Sequence, residues 1–288
     1  MLCSKPMAET LLRVYHFLNK RAPFVKKLSL KLARLLIAIL EIVTSFSVTK
    51  EVNLQNILML LGSWESGTTA LNRRILKRGM IVVDVGAHVG YYTTQYAKLV
   101  GTSGRVFAFE PHPGNRSLLQ KNVRSLKNVE VASTAVGADT TPATFYESAV
   151  GSGSHSLVGS RYKENHAREL TVQKTTLDTF FKEKGVRPQF IKVDVEGAEH
   201  EVIEGAKEIL GASDAPDLVM EFSPSILTSR NLPPDSLPRT LLQLGYSLFV
   251  IDEKTGETIP IEKFGTLQEF VSSVKKVSNL FATKKSTA

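Results

Sequence analysis

From Gly79 onward, short apolar runs alternate with amphipathic ones. The runs predict strands over 80–85, 105–110, 129–135, 189–194 and 217–222. The intervening 3.6-residue periodicity predicts helices over 91–100, 114–125, 199–210 and 235–244. A further strand follows over 245–252, a hairpin turn at Lys254-Thr-Gly-Glu257 and a last strand over 279–282. Strands as continuously apolar as Ile81-Val82-Val83 suit a sheet covered on both faces. The expectation is an α/β fold, a Rossmann-like parallel sheet with helices on both sides. Two stretches break the alternation. Residues 147–168 are polar and rich in glycine and serine, which suits a loop able to close over a substrate. Pro224 to Pro238, with Pro233-Pro234, reads as a loop at the sheet's carboxyl edge.

The most informative stretch is Met80-Ile-Val-Val-Asp-Val-Gly-Ala-His-Val-Gly90. Asp84 interrupts the apolar run near the strand's end, and Gly86 and Gly90 follow as D-x-G-x-x-x-G. Glycine permits a tight turn and a close ligand, and the next helix aims its free N–H groups at the same place. A carboxylate at this turn suits a cofactor carrying a positive charge or hydroxyl groups and repels a pyrophosphate. It therefore favours S-adenosylmethionine over NAD, whose G-x-G-x-x-G pattern is also missing. The next strand ends in Glu110, at the spacing from which an acid accepts hydrogen bonds from ribose hydroxyls. A third apolar strand runs into the acids of Phe190-Ile-Lys-Val-Asp-Val-Glu-Gly-Ala-Glu199.

These pieces, with Phe107-Ala-Phe-Glu-Pro111, Gly151-Ser-Gly-Ser-His-Ser-Leu157 and Thr176-Leu-Asp178, stand in an order that resembles the FkbM-type family of class I methyltransferases. The resemblance covers roughly residues 65–260; Asp194-Val-Glu-Gly-Ala-Glu199 is its most distinctive motif. It implies S-adenosyl-L-methionine as cofactor, contacted by Asp84, Gly86, Ala87, His88, Gly90, Glu110 and Asp194. His88 stands where the family usually carries a small polar residue.

For the chemistry, Asp194 and Glu196 are the candidate acids. They can accept a substrate proton, position a hydroxyl or share a divalent cation, although no metal site is expected. His155, on the polar loop, is the candidate base beside them, and Ser154 and Ser156 are possible hydrogen-bonding partners. Glu199 and His200 open a helix, where a carboxylate is favourable through the dipole alone. Lys192 is either buried or reaches the crevice. Trp64 and Glu65 either roof the adenine or simply pack.

Charge changes the picture at one end of the chain. The formal net charge is +8, but residues 1–50 hold nine Lys/Arg against two Glu, leaving +1 for the rest. The domain bearing the motifs is therefore not read as a basic nucleic-acid binder. Residues 1–60 are expected to form a basic, apolar helical extension, 61–283 the methyltransferase domain and 284–288 a tail. Leu28 to Val48 is apolar but interrupted by Lys31, Arg34 and Glu41, too short a clean run to span a bilayer. Two readings stay open: a lid or oligomerisation arm that buries Leu35, Leu36, Ile39 and Leu40 on the domain, or a peripheral membrane contact through residues 20–50. With Cys3 as the single cysteine, no disulfide forms within the chain, and a reducing, cytoplasmic setting is expected. The function expected is O-methylation of a hydroxyl on a small molecule or sugar; the alternative is an inactive, nucleotide-binding scaffold of the same fold.

Overall fold

A computed structural model of the protein describes residues 23–51, 53–148, 155–158 and 168–284. In chain order the first elements are α1 (Pro23–Thr44), α2 (Leu54–Leu60), α3 (Ser66–Ile75), β1 (Ile81–Val85), α4 (Tyr91–Val100), β2 (Arg105–Phe109) and α5 (Pro113–Val123). The middle of the chain forms β3 (Val129–Ala132), β4 (Ala135–Val136), β5 (Ala143–Glu147), β6 (Arg168–Val172), β7 (Lys174–Thr175), α6 (Leu177–Lys184) and β8 (Phe190–Val193). Then come α7 (Glu199–Glu204), α8 (Lys207–Gly211), β9 (Asp217–Phe222), α9 (Pro224–Ser229), α10 (Ser236–Gln243) and β10 (Ser247–Ile251). The chain closes with β11 (Thr258–Pro260), a 3-10 turn (Ile261–Phe264), α11 (Leu267–Ser273) and β12 (Ser278–Thr283).

The main sheet has the order β11-β10-β12-β9-β8-β1-β2-β3. Strands β3, β2, β1, β8 and β9 are parallel, and β12 inserts antiparallel between β9 and β10. The chain therefore leaves β1 towards β2 and β3 and later returns to its other side through β8. That reversal makes the crevice beyond the carboxyl ends of β1 and β8 the place for a ligand.

The two-residue period of the strands sorts the core into two layers. Val83, Val85, Phe107, Ile191, Val193, Leu218 and Met220 face a layer that includes Phe181 of α6, Val202 of α7 and Leu241 of α10. Val82, Val106, Phe190 and Val219 face Leu71 of α3 and Tyr92 and Tyr96 of α4. The fold expected from the alternation of elements is the one observed.

The departures have local causes. The segment expected as one strand over 129–135 divides: β3 stays in the main sheet, while β4 leaves it to pair with β7. The helix expected over 199–210 breaks at Gly205, whose N–H closes onto Glu201 and whose carbonyl accepts from Asp178 N–H. A Cβ at Gly205 would lie 2.0 Å from the carbonyl oxygen of Gly137. Pro224 to Pro238 is not all loop, because Pro224 starts α9 at a position where its missing N–H costs nothing. The polar loop expected over 147–168 lies mostly outside the described residues.

The extension departs most. Ile37, Val48, Met59 and Leu60 join the same core layer as Tyr92 and Tyr96. Ser47 N–H donates to Asn122 Oδ1 at 2.7 Å, and Asn122 Nδ2 donates to the carbonyls of Ser47 and Val89. The expected division near residue 60 thus does not coincide with a gap in packing. Leu35 and Ile39, which the lid reading would bury on the domain, are exposed, because the helix turns Ile37, Leu40 and Glu41 inward instead.

Replacement of Gly205 by alanine is expected to destabilise the protein by about 1–3 kcal/mol, because the crowding atom is backbone and cannot rotate away. Gly211, with open space around its would-be Cβ, serves as the control. Gly211→Ala should leave the urea midpoint unchanged or slightly raised; equal midpoints for the two variants would refute the assignment of the helix break to Gly205.

Candidate active site

The crevice at the switch point is a cavity of about 570 Å³, a size suited to a cofactor-like ligand. Its floor is built by strand ends. Asp84 of β1, Lys192 of β8 and Glu221 of β9 occupy positions of the same face as Val82, Phe190 and Val219, one or two steps nearer the carboxyl end. Asp194 continues the β8 series. The alternation that buries apolar residues on this face therefore delivers four ionisable ones to the crevice.

Asp84 is buried, and Thr93 of α4 donates a 2.5 Å hydrogen bond to its Oδ2. Its Oδ1 is buried with no hydrogen-bond partner in the protein. Burial pushes its pKa up, against the nearby Lys192 ammonium and the Thr93 bond. An acceptor oxygen left unmet beside a cavity is suited to a ligand's cationic or N–H donor group. Glu110, just past β2, is fixed differently. Its two oxygens accept the backbone N–H groups of His88 (2.8 Å) and His112 (2.9 Å). Burial raises it to about 8 despite those two amides. Both acids line the cavity, as do Gly86, Ala87 and His88.

The glycine turn works through backbone crowding. Gly86 has φ +82°, and a Cβ there would sit 1.8 Å from the carbonyl oxygen of Asp194. The position is glycine because the turn after β1 presses on the end of β8; the space reserved for a ligand was the reason expected from sequence. Gly90 (φ +87°) opens α4 and faces Leu119 of α5, outside the cavity lining. His88 takes φ +50°, unusual for a residue with a Cβ. Burial pushes its imidazole down to about 4, so it is neutral near pH 7.

The Asp194-to-Glu199 turn has a division of labour. Glu196 (φ +56°) and Gly197 (φ +104°) make the bend. Glu199 is buried and accepts the N–H groups of Val195 and Gly197, each at 3.1 Å, so it holds the bend and does not reach the cavity lining. Asp194 and Glu196 do line the cavity, and each can place an oxygen within 4.8 Å of the other and of Glu221. Lys192 Nζ lies 2.8 Å from Asp194 Oδ2 and 4.7 Å over the ring of Tyr92. Burial opposes the lysine's charge, yet Asp194, Asp84 and Glu65 hold its pKa above the ordinary value. Burial likewise opposes the charge of Asp194, and Lys192 holds its pKa below the usual carboxylate range. Glu221 is pushed well above the usual carboxylate range, first by burial and then by the neighbouring Asp194 and Glu196. Glu221 was not singled out in the sequence, although an acid near the end of a core strand was the signal that marked Glu110 and Asp194.

His155 sits at the other rim, beside His112, with ring centres 4.3 Å apart. His155 Nδ1 accepts Ser148 N–H (2.9 Å) and His112 Nδ1 accepts Asn115 N–H (3.2 Å). In each neutral ring the proton is therefore on Nε2. His155 is held down to about 4, first by burial and then by His112. This arrangement makes His155 a hydrogen-bond donor and leaves it no basic nitrogen facing the cavity. It also opposes metal binding by the His112, Glu147 and His155 group, since a ligating imidazole normally donates its second N–H. Ser156 ties the same loop to the acidic turn by donating to the Glu196 carbonyl at 2.9 Å. Ser154 lies outside the described residues. Glu65 lines the cavity and accepts from Tyr92 Oη at 2.7 Å.

A pH dependence follows from His88. Its folded-state pKa lies below its unfolded value of 6.5, so its neutral burial costs nothing above pH 6.5 and lowers stability as pH falls towards 4. Asparagine tolerates the left-handed backbone and does not titrate. The His88→Asn variant should lose about 1–3 kcal/mol less stability than the parent between pH 7.5 and 4.5. Parallel urea midpoints for the two proteins across that range would rule this out.

The Methyltransferase FkbM domain model matches residues 84–248, more than half of the chain. Among solved structures, the chain is similar to a precorrin-6y C5,15-methyltransferase from Geobacter metallireducens, with 13% identity, TM-score 0.45, and 83% of this chain and 94% of that one covered. It is also similar to Aeropyrum pernix fibrillarin in complex with natively bound S-adenosyl-L-methionine, at 12% identity and TM-score 0.41 over 72% of this chain and 67% of that one. A third is an S-adenosylmethionine-dependent O-methyltransferase from Thermotoga maritima, at 14% identity and TM-score 0.40 over 77% and 65%. No curated protein matches the chain. The matched span begins at Asp84 and contains Gly86, Glu110, Asp194 and Glu196, and the chain belongs to the FkbM family of S-adenosylmethionine-dependent methyltransferases.

Proposed function

We propose that this methyltransferase acts on a hydroxyl group of a small molecule or sugar, with Asp84 and Glu110 holding the cofactor and Asp194 with Glu196 facing the acceptor. The observation that carries the reading is the gathering of Asp194, Glu196 and Glu221 at one wall of the cavity. Carboxylates accept hydrogen bonds from hydroxyls and can take a proton from one. Among the described lining residues, Lys192 is the one lysine or arginine, and it is occupied by Asp194. A wall of this charge disfavours a phosphorylated or nucleic-acid acceptor.

The residues fit the cofactor on two counts. The unmet Asp84 Oδ1 can accept from the amino group of its methionine part, and the Glu110 carboxyl group, already oriented by two amides, can accept from ribose hydroxyls. S-adenosylmethionine supplies a methyl group made electrophilic by its sulfonium. The chain supplies alignment and proton management. Asp194, kept ionised by Lys192, or Glu196 takes the hydroxyl proton as the new bond forms, while the His155 Nε2–H can donate to an acceptor oxygen. A divalent cation is not needed for charge balance at Asp194, where the lysine already provides it.

Glu110→Ala should weaken S-adenosylmethionine binding by roughly 5–150-fold, about 1–3 kcal/mol for leaving ribose hydroxyls without their buried acceptor. Calorimetry on a folded variant decides it; unchanged affinity would place the ribose elsewhere.

Asp194→Asn and Glu196→Gln keep shape and remove charge. One of them should lower turnover on a hydroxyl acceptor by roughly 10²–10⁴-fold while cofactor affinity changes little. Full turnover in both variants would remove the acids from the proton path.

A further inference from the structure

Seven large hydrophobic side chains are well exposed among the described residues, and five of them lie on one helix: Leu32, Leu35, Ile39, Ile42 and Val43 of α1. Their spacing of 3, 4, 3 and 1 puts them on a single stripe. The opposite side of the helix is engaged by the domain. Ile37 is buried in the core layer, Leu40 packs against it, and Glu41 accepts the Val48 N–H at 2.7 Å. The helix is thus fixed by one face and presents an apolar face outward, with Ile42 80% exposed.

We infer that α1 is an interfacial helix that docks this protein on an anionic membrane surface. No described helix is long and apolar enough to cross a membrane, so the contact would lie in the plane of the interface. Charge selects the occupant. Residues 1–50 carry nine Lys/Arg against two Glu; on α1 itself Lys31 is exposed at the edge of the stripe and Arg34 further round on the same flank. Long basic side chains there can reach head groups while the leucines and isoleucines enter the acyl boundary. Pairing the stripe with a second copy of the chain would instead bring two sets of like charges together. The fixed inner face matters as well: a helix already held by Ile37 and the Glu41 bond spends less conformational entropy on binding than a free one.

The test uses the full-length protein and co-sedimentation with two kinds of vesicle, phosphatidylcholine alone and equal parts phosphatidylcholine and phosphatidylglycerol. The expected result is binding to the mixed vesicles at low salt, with weakening as salt rises. Leu35→Glu with Ile42→Glu should cut that binding by roughly tenfold or more, without moving the melting temperature, because both side chains are exposed. Lys31→Glu with Arg34→Glu should also cut it by roughly tenfold or more on mixed vesicles. Absence of binding to mixed vesicles at low salt overturns the inference. So does binding that the Leu35/Ile42 pair leaves intact. If sedimentation shows instead a dimer that the same pair dissociates, the stripe is an interface between copies. None of these results depends on methyl transfer.

Discussion

The site rests on one ammonium group. Lys192 is buried in the face of the sheet that Val82, Phe190 and Val219 otherwise make apolar, and carboxylates approach it from neighbouring strands and from the start of α3. Without it, Asp84, Asp194, Glu65 and Glu221 would share a low-dielectric crevice as like charges, and protonation would be the only relief. With it, the carboxyls are pushed apart in acidity. Asp194, at 2.8 Å, is held below the usual carboxylate range; Glu221, one strand further away, is pushed well above it by burial and by its acidic neighbours. Tyr92 closes the arrangement by placing its ring 4.7 Å from the ammonium.

The backbone enforces the same geometry. The turn after β1 and the end of β8 approach so closely that Gly86 has no room for a Cβ beside the Asp194 carbonyl. The acids at the ends of β1 and β2 and those at the end of β8 are therefore parts of one rigid junction. A movement of the β8 end would displace the glycine turn, and with it the His88 amide that orients Glu110. Glu199 locks the other side of the junction by accepting two amides of the Glu196 bend. The motif Asp194-Val-Glu-Gly-Ala-Glu199 thus contains two residues aimed at the cavity and one that holds them there.

Much of this was legible because strand ends in an α/β sheet speak a simple code. Apolar runs closing in an acid located Asp84, Glu110 and Asp194, and the glycine spacing located the turn. The same code applied to Asp217-Leu-Val-Met-Glu-Phe222 would have found Glu221; the apolar residue after it hid the pattern. What sequence could not show was long-range. The break at Gly205 depends on Gly137, nearly seventy residues earlier in the chain, and the tautomer of His155 depends on the amide of Ser148. The orientation of α1 stayed open in the sequence for a related reason. Its apolar residues cover enough of the helix surface that periodicity alone does not say which of them meet the domain, and the Glu41 bond to Val48 N–H settles the rotation.

Charge is segregated along this chain, and the segregation divides the labour. The cavity wall is acidic, with its buried lysine neutralised by Asp194, while almost all of the formal +8 lies in the first fifty residues. Yet the arm is not independent of the pocket. Ser47 is stitched through Asn122 to the carbonyl of Val89, inside the turn that carries His88, and Met59 of α2 lines the cavity. The segment that follows α1 is therefore joined to the glycine turn after β1 by a short hydrogen-bonded path, and α2 contributes to the cavity wall itself.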